Sequence, residues 1–227
     1  MANPRVTAII PAFNEAATVA EVVKEVSANP HVAEVIVVDD GSHDGTANAA
    51  RCAGARVLTL PKNEGKASAM AHGVRAATHD IIFFADADIH GLTSEKINRI
   101  IEPVLSGRCA MYVGIRKRHS HFLNRFLRIA PVLGGERTIT KELWNRIPRL
   151  YKKGFQIEIA MNYYTKRFGK RMGSRLMPGV RQTIKEKKHG VVRGFFERLK
   201  MIADVAAIGI KLYVGEELKR ALGVSKG

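Results

Sequence analysis

What this 227-residue chain has little of narrows its class first. Two cysteines, Cys52 and Cys109, cannot form a disulfide framework. Cys52 falls in an expected helix and Cys109 at the start of an expected strand, so both read as buried thiols of a protein from a reducing compartment. No apolar run reaches membrane-spanning length, because the best, Met201 to Val214, is interrupted by Asp204 and Lys211. The amino terminus enters a strand without a leader-like segment, which sets the expectation of a cytoplasmic protein, soluble or peripheral at the inner face of the cell membrane. Repeats and low-complexity stretches are missing. So is Gly-x-Gly-x-x-Gly after the first strand, where a dinucleotide-binding oxidoreductase would carry it. Acidic residues are scarce: 21 Asp+Glu against 37 Lys+Arg leave a net charge of +16. That excess implies an anionic partner, be it nucleic acid, acidic lipid or a phosphorylated substrate.

What is present belongs to a globular chain, with 46% hydrophobic and 26% charged residues and length enough for a substantial core. Short apolar runs at Val6 to Ile10, Val35 to Val38 and Ile81 to Ala85 read as strands, the last two buried on both faces, and Arg56 to Leu60 reads as a further strand. Helical patterns separate them, from Glu15 to Ser27 with Asn14 as N-cap, from Asp44 to Ala53, and from Lys66 to Ala77. Alternation of this kind predicts an α/β sandwich with a mostly parallel central sheet flanked by helices. Beyond it we expect a helix at Ser94 to Leu105, a strand at Ala110 to Gly114 and a loop at Gly134-Gly135-Glu136-Arg137. Helices are expected from Thr140 and over Phe155 to Phe168, with a C-terminal amphipathic helix from Val191 to about Tyr213. The natural division is one domain over residues 1–190, with a nucleotide-binding half to 90 and an acceptor half after it, then a helical tail over 191–227.

Three expected strands end in polar clusters: Pro11-Ala12-Phe13-Asn14-Glu15, Asp39-Asp40-Gly41-Ser42 and Asp86-Ala87-Asp88. In a parallel sheet the carboxyl ends share one edge, so these clusters should converge on one cleft. Asp86 and Asp88 are hard oxygen ligands suited to Mg²⁺ or Mn²⁺, whose other positions go to water and substrate phosphate. His90, two residues on, is a candidate further ligand. Lys66 follows Gly65 at a helix start, where backbone N–H groups already favour an anion. Glu158 is the first choice of general base for a hydroxyl acceptor and Glu136 the second; a phosphate acceptor would need none, and Glu158 would then orient Arg137. Arg116, Lys117, Arg137 and Arg181 are candidate anion-binding residues. Basic amphipathic stretches at 116–130 and 191–213 fit an anionic membrane surface.

Taken together, Pro-Ala-Phe-Asn-Glu (11–15), Val-Asp-Asp-Gly-Ser-His-Asp-Gly-Thr (38–46), Asn-Glu-Gly-Lys (63–66) and Asp-Ala-Asp (86–88) resemble the family-2 glycosyltransferases of the GT-A fold. Gly-Gly-Glu-Arg (134–137) and Gly-Phe-Gln-Ile-Glu (154–158) are similar to acceptor-side segments of that family. The resemblance implies sugar transfer from a UDP- or GDP-linked donor, with Pro11, Ala12, Asn14, Glu15, Asp39, Asp40 and Lys66 around the nucleotide, and Asp86-Ala87-Asp88 holding it through the metal. With such a donor, Arg116 and Arg181 are expected at its anionic groups and Glu158, Glu136 and Arg137 at the reacting centre. The polyprenyl-phosphate sugar synthases carry a metal-reaching Gln where this chain has His90, while related transferases that recruit a C-terminal His to the metal imply His189, after Lys185-Glu186-Lys187-Lys188, as the rival ligand. Those synthases imply a lipid-phosphate or glycolipid acceptor and inversion at the anomeric carbon. Features shared with glucosyl-3-phosphoglycerate synthases imply instead a small phosphorylated acid and retention. A homodimer is compatible with either, and nucleic acid is not the partner expected. A nucleotidyltransferase or a non-catalytic basic module are the rival classes, and the first of these would need a Gly-rich Arg-containing loop where Pro11 to Asn14 stand.

Overall fold

The runs Ala8 to Ile10, Val35 to Val38 and Ile81 to Phe84 are apolar on consecutive residues because the sheet they form is covered on both sides, whereas the edge strand at Arg56–Thr59 is exposed at both ends and half-buried between. The computed structural model describes residues 5–116, 135–154, 156–182 and 211–216. Its elements in order are β1 (Val6–Ala12), α1 (Val19–Ser27), β2 (Val32–Asp39), α2 (Thr46–Cys52), β3 (Arg56–Thr59), α3 (Lys66–Ala76) and β4 (Ile81–Phe84). There follow β5 (Ile89–His90), α4 (Ser94–Leu105), β6 (Met111–Arg116), β7 (Arg137–Thr140), α5 (Lys141–Arg146) and a 3₁₀ turn at Arg149–Tyr151. The described chain closes with α6 (Gln156–Arg167), β8 (Met172–Met177), β9 (Arg181–Gln182) and a π-helical turn at Lys211–Glu216.

The seven-stranded sheet runs β3-β2-β1-β4-β7-β6-β8, with β7 the one strand antiparallel to its neighbours, and β5 pairs with β9 in a separate ribbon. Ile9, Ile36, Ile82, Phe84 and Ile139 face one side, where α3, α5 and α6 supply Met70, Val74, Trp144 and Met161. Ala8, Ile10, Val37 and Phe83 face the other, against Val22 and Val23 of α1, Ala50 of α2 and Ile97, Ile100 and Ile101 of α4. This three-layer sandwich is the expected architecture. It leaves the carboxyl ends of β1, β2 and β4 on one edge.

Several local expectations are corrected. β1 does not stop at Pro11 but runs through it, pairing Pro11 with Val38. Ile9 and Pro11 point their backbone groups toward β4, whose pairing with β1 ends at Ile9, so the missing proline N–H costs no ladder bond. α1 begins at Val19, with Thr18 and not Asn14 as its flanking residue. Asn14 has φ +54 and its side-chain oxygen accepts the His43 amide at 2.9 Å, so it joins two loops instead of capping a helix. The expected loop at 134–137 yields to strand β7 at Arg137, which pairs Arg137 with Phe84 of β4 and Val113 of β6. Cys52 is exposed, since it lies on the far side of α2 from buried Ala50, about 200° round the helix. Cys109 is half-buried. The basic stretch from Lys117 to 130, His189 and most of the expected tail helix lie outside the described residues; at its end Lys211–Glu216 winds as a π-helical turn that seats Leu212 in the core and sets the Tyr213 ring 5.1 Å from Tyr163.

Candidate functional site

A cavity of about 460 Å³ opens at the carboxyl ends of the central strands, within the range of small-ligand sites. The loop after β1 reaches it because the loop after β2 holds it there. The Asn14 amide donates to Ser42 Oγ at 2.9 Å and the Glu15 amide to Thr46 Oγ1 at 2.9 Å. Asp39 is buried and accepts the Ser42 amide at 3.1 Å, which fixes the intervening turn. Asp40 accepts the amides of Glu64 and Gly65, each at 2.8 Å. Its carboxylate therefore anchors the segment that delivers Lys66 to the cavity. Gly65 takes φ +91 there, a conformation costly for any residue with a Cβ.

The floor is a cluster of opposed charges. Lys66 Nζ stands 2.6 Å from Asp86 Oδ1 and 3.4 Å from Glu158 Oε1. Arg116, from the end of β6, lies 3.3 Å from Asp86 Oδ2 and 3.6 Å from Glu136 Oε2. Arg137, 1% exposed on β7, faces Glu158 Oε2 of α6 at 3.8 Å. Gln182 on β9 donates to both oxygens of Asp88, at 3.0 and 2.9 Å, and accepts from Arg116 at 3.0 Å. Gly135 packs directly against Asp86, so a Cβ there would collide with the carboxylate and one of the two must shift.

Burial and charge set the protonation states. Burial alone would raise the Asp86 carboxyl, but Lys66 and Arg116 outweigh it and hold it below the usual range. Burial would likewise lower Lys66, and Asp86 and Glu158 reverse that and raise it. Arg137 is lowered by burial. Glu136 is fully buried, no hydrogen bond among the described residues reaches either of its carboxylate oxygens, and it is pushed up to about 7. Burial is the main cause, nearby Asp86 adds to it, and Arg116 opposes it.

The structure thus gathers Pro11, Ala12, Glu15, Asp40, Lys66, Asp86, Ala87, Asp88, Arg116 and Glu158 around one cavity. Glu136 and Arg137 stand behind it through their ion pairs. Asn14 and Asp39 hold its loops without lining it. His90 does not line it: its Nδ1 is 3.1 Å from Glu21 of α1. Arg181 is exposed on β9, opposite His90 in the ribbon, and does not line it either. Phe13, Asn63, Gly135 and Gln182 line it without having been foreseen as site residues. Of these, only Phe13, Asn63 and Gly135 carried a signal, lying inside segments already singled out.

Among the described residues no three His, Cys, Asp or Glu side chains are grouped to hold a metal unaided. Two hard carboxylates beside a lysine and an arginine fit a divalent cation that arrives with an anionic ligand, not one enclosed by protein. Such a floor can bind a diphosphate through the metal together with the lysine and arginine.

A family model described as glycosyl transferase family 2 matches residues 7–174. The chain is 31% identical over 143 residues to glucosyl-3-phosphoglycerate synthase of Mycobacterium tuberculosis, a match covering 59% of this chain and 42% of that protein. It is 32% identical over 112 residues to undecaprenyl-phosphate 4-deoxy-4-formamido-L-arabinose transferase of Aeromonas hydrophila, covering 45% of this chain and 34% of the other. The matched stretches thus span less than half the length of these curated relatives. Among solved structures, the M. tuberculosis synthase in complex with Mn²⁺, UDP-glucose and phosphoglyceric acid superposes with a TM-score of 0.75 at 22% identity, covering 92% of this chain and 80% of that one.

Proposed function

Since the chain belongs to glycosyl transferase family 2, we propose that it moves a sugar from a UDP- or GDP-linked donor to a lipid-linked acceptor, with Mg²⁺ or Mn²⁺ held at Asp86 and Asp88. The observation that carries this reading is the cavity whose floor sets Asp86 and Asp88 among Lys66, Arg116 and Arg137, at the edge where such sheets bind ligands. Pro11, Ala12, Glu15 and Asp40 form its nucleotide end. When bound, the cation would supply Lewis-acid stabilisation of charge on the departing diphosphate. Lys66 and Arg116 add fixed positive charge on the same side, in a pocket whose walls keep that charge effective.

The state of Glu158 bears on the acceptor. Both of its oxygens already face cations, Lys66 and Arg137, which suits a residue that organises the site. A phosphate acceptor is ionised at neutral pH and needs no base, so this arrangement favours a polyprenyl phosphate. The undecaprenyl-phosphate transferase among the relatives supports it. The second reading is a small phosphorylated acid, favoured by the likeness to the phosphoglycerate-glucosylating synthase. For the lipid acceptor the net charge of +16 would hold the enzyme against an anionic membrane surface at the cytoplasmic face. No helix among the described residues is long and apolar enough to cross a membrane.

The test is a donor screen by product mass spectrometry. UDP- and GDP-sugars are offered with Mn²⁺ together with either undecaprenyl phosphate in anionic vesicles or 3-phosphoglycerate. Glycosylated lipid phosphate is the expected product, and glycosylated phosphoglycerate would replace the first acceptor by the second. Intact donors in every mixture, with no nucleoside diphosphate bound, would overturn the transferase reading.

A further inference from the structure

The two aspartates at the cavity floor are already satisfied from within. Lys66 places its ammonium 2.6 Å from one oxygen of Asp86, at the short end for a charge-assisted bond, and Arg116 takes the other at 3.3 Å. Gln182 covers both oxygens of Asp88 through one amide nitrogen. That amide has a single workable orientation. Reversed, its N–H groups would meet the Arg116 guanidinium and its oxygen would meet a carboxylate. The carboxylates that offer themselves to a cation are thus held by an ammonium and an amide of the same chain.

We propose that Lys66 and Gln182 are internal stand-ins for the divalent cation, so that metal alone binds weakly and metal and diphosphate bind as a coupled pair. This rests on the transferase reading above and adds an order of events to it. To open Asp86, Lys66 must give up its short ion pair and keep only Glu158 at 3.4 Å. Its side chain is 36% exposed on the cavity side, against 11% for Asp86, so the lysine is the partner able to turn away. A diphosphate entering with the metal gives Lys66 a new anion, and it gives Arg116 one as well. Among the described residues Gln182 lies on a two-residue strand joined only to the equally short β5, so its amide can leave Asp88 without disturbing the main sheet. Each ligand then supplies what the other displaces, and reciprocity makes the effect equal in both directions.

The test is a Mn²⁺ titration of the full chain, reading free Mn²⁺ by electron paramagnetic resonance with and without UDP. Wild-type protein should bind Mn²⁺ about thirtyfold more tightly with UDP present, a coupling ordinary for linked sites. Lys66→Met should bind Mn²⁺ alone about tenfold more tightly than wild type and show a UDP effect reduced to about threefold or less. Lys66→Gln, which keeps a polar group near Asp86, should move in the same direction if the methionine variant fails to fold. Gln182→Ala should also tighten binding of Mn²⁺ alone. Lys62→Met, an exposed lysine in the same loop, should change nothing. Unchanged or weaker Mn²⁺ binding in both Lys66 variants overturns the proposal, as does an equal gain from Lys62→Met, which would make the effect one of net charge. Failure of every protein to bind Mn²⁺ with either UDP or GDP would instead remove the metal from the function proposed above, and the stand-ins with it.

Discussion

Glu136→Gln removes a charge from the most buried acid of the site while keeping its shape. Glu136 is fully buried, its carboxylate oxygens accept no hydrogen bond from the described residues, and it is pushed from 4.5 up to about 7 by burial first and by Asp86 second, against the pull of Arg116. A carboxyl raised in the folded state binds its proton more tightly there than in the unfolded chain. Its contribution to stability is therefore complete below about pH 4.5 and is lost as pH rises through about 7. At about 1.4 kcal/mol per pH unit the loss amounts to roughly 3 kcal/mol. For a chain of this size that corresponds to about 6–12 °C in melting temperature. The assay is calorimetric melting of wild type and Glu136→Gln from pH 5 to 8.5 with chelator present, so that no metal enters the comparison. The two proteins should melt within about 2 °C of each other at pH 5, and the variant should melt several degrees higher at pH 8.5. Parallel pH profiles, or a variant less stable at both ends, would refute the burial argument.

Two more substitutions probe the same floor. Gly135→Ala drives a Cβ against Asp86 Oδ2, so it should cost about 1–3 kcal/mol by denaturant melting and weaken Mn²⁺-dependent UDP binding; a neutral result would mean the 135–136 segment yields easily. Arg137→Met leaves buried Glu158 with Lys66, at 3.4 Å, as its closest described cation, and should cost about 3–5 kcal/mol, with a loss below about 1 kcal/mol counting against the buried pair.

The alternation of apolar runs with helical patterns was enough to reach the sandwich, because a strand such as Val35 to Val38 is apolar on successive residues only when both its faces are covered. The convergence of Pro11–Glu15, Asp40 and Asp86–Asp88 was legible for the same reason, since parallel strands must end on one edge. β7 was not legible. Arg-Thr-Ile-Thr has one strongly apolar residue, and its place between β4 and β6 comes from pairing with segments far away in sequence. Asn14 looked like a helix cap because Asn before an apolar helical pattern usually is one, whereas its positive φ and its bond to His43 depend on the loop after β2. Gln182 carried no signal of any kind, being an exposed polar residue on a two-residue strand whose importance lies in what β5 brings beside it. His90 follows from the same ribbon: it sits two residues past Asp88, yet its ring is turned to Glu21.

The central claim, a cavity that binds a nucleoside diphosphate through a cation at Asp86 and Asp88, is tested most directly by melting wild type and Asp88→Ala with UDP and with GDP, each with and without Mn²⁺. Wild type should be stabilised by one of the nucleotides only when Mn²⁺ is present, by about 2.7 kcal/mol at a hundredfold excess over Kd. Asp88→Ala should melt as wild type does without ligand and show no Mn²⁺-dependent gain. Stabilisation by neither nucleotide in wild type, or the same metal-dependent gain in Asp88→Ala, would contradict the account.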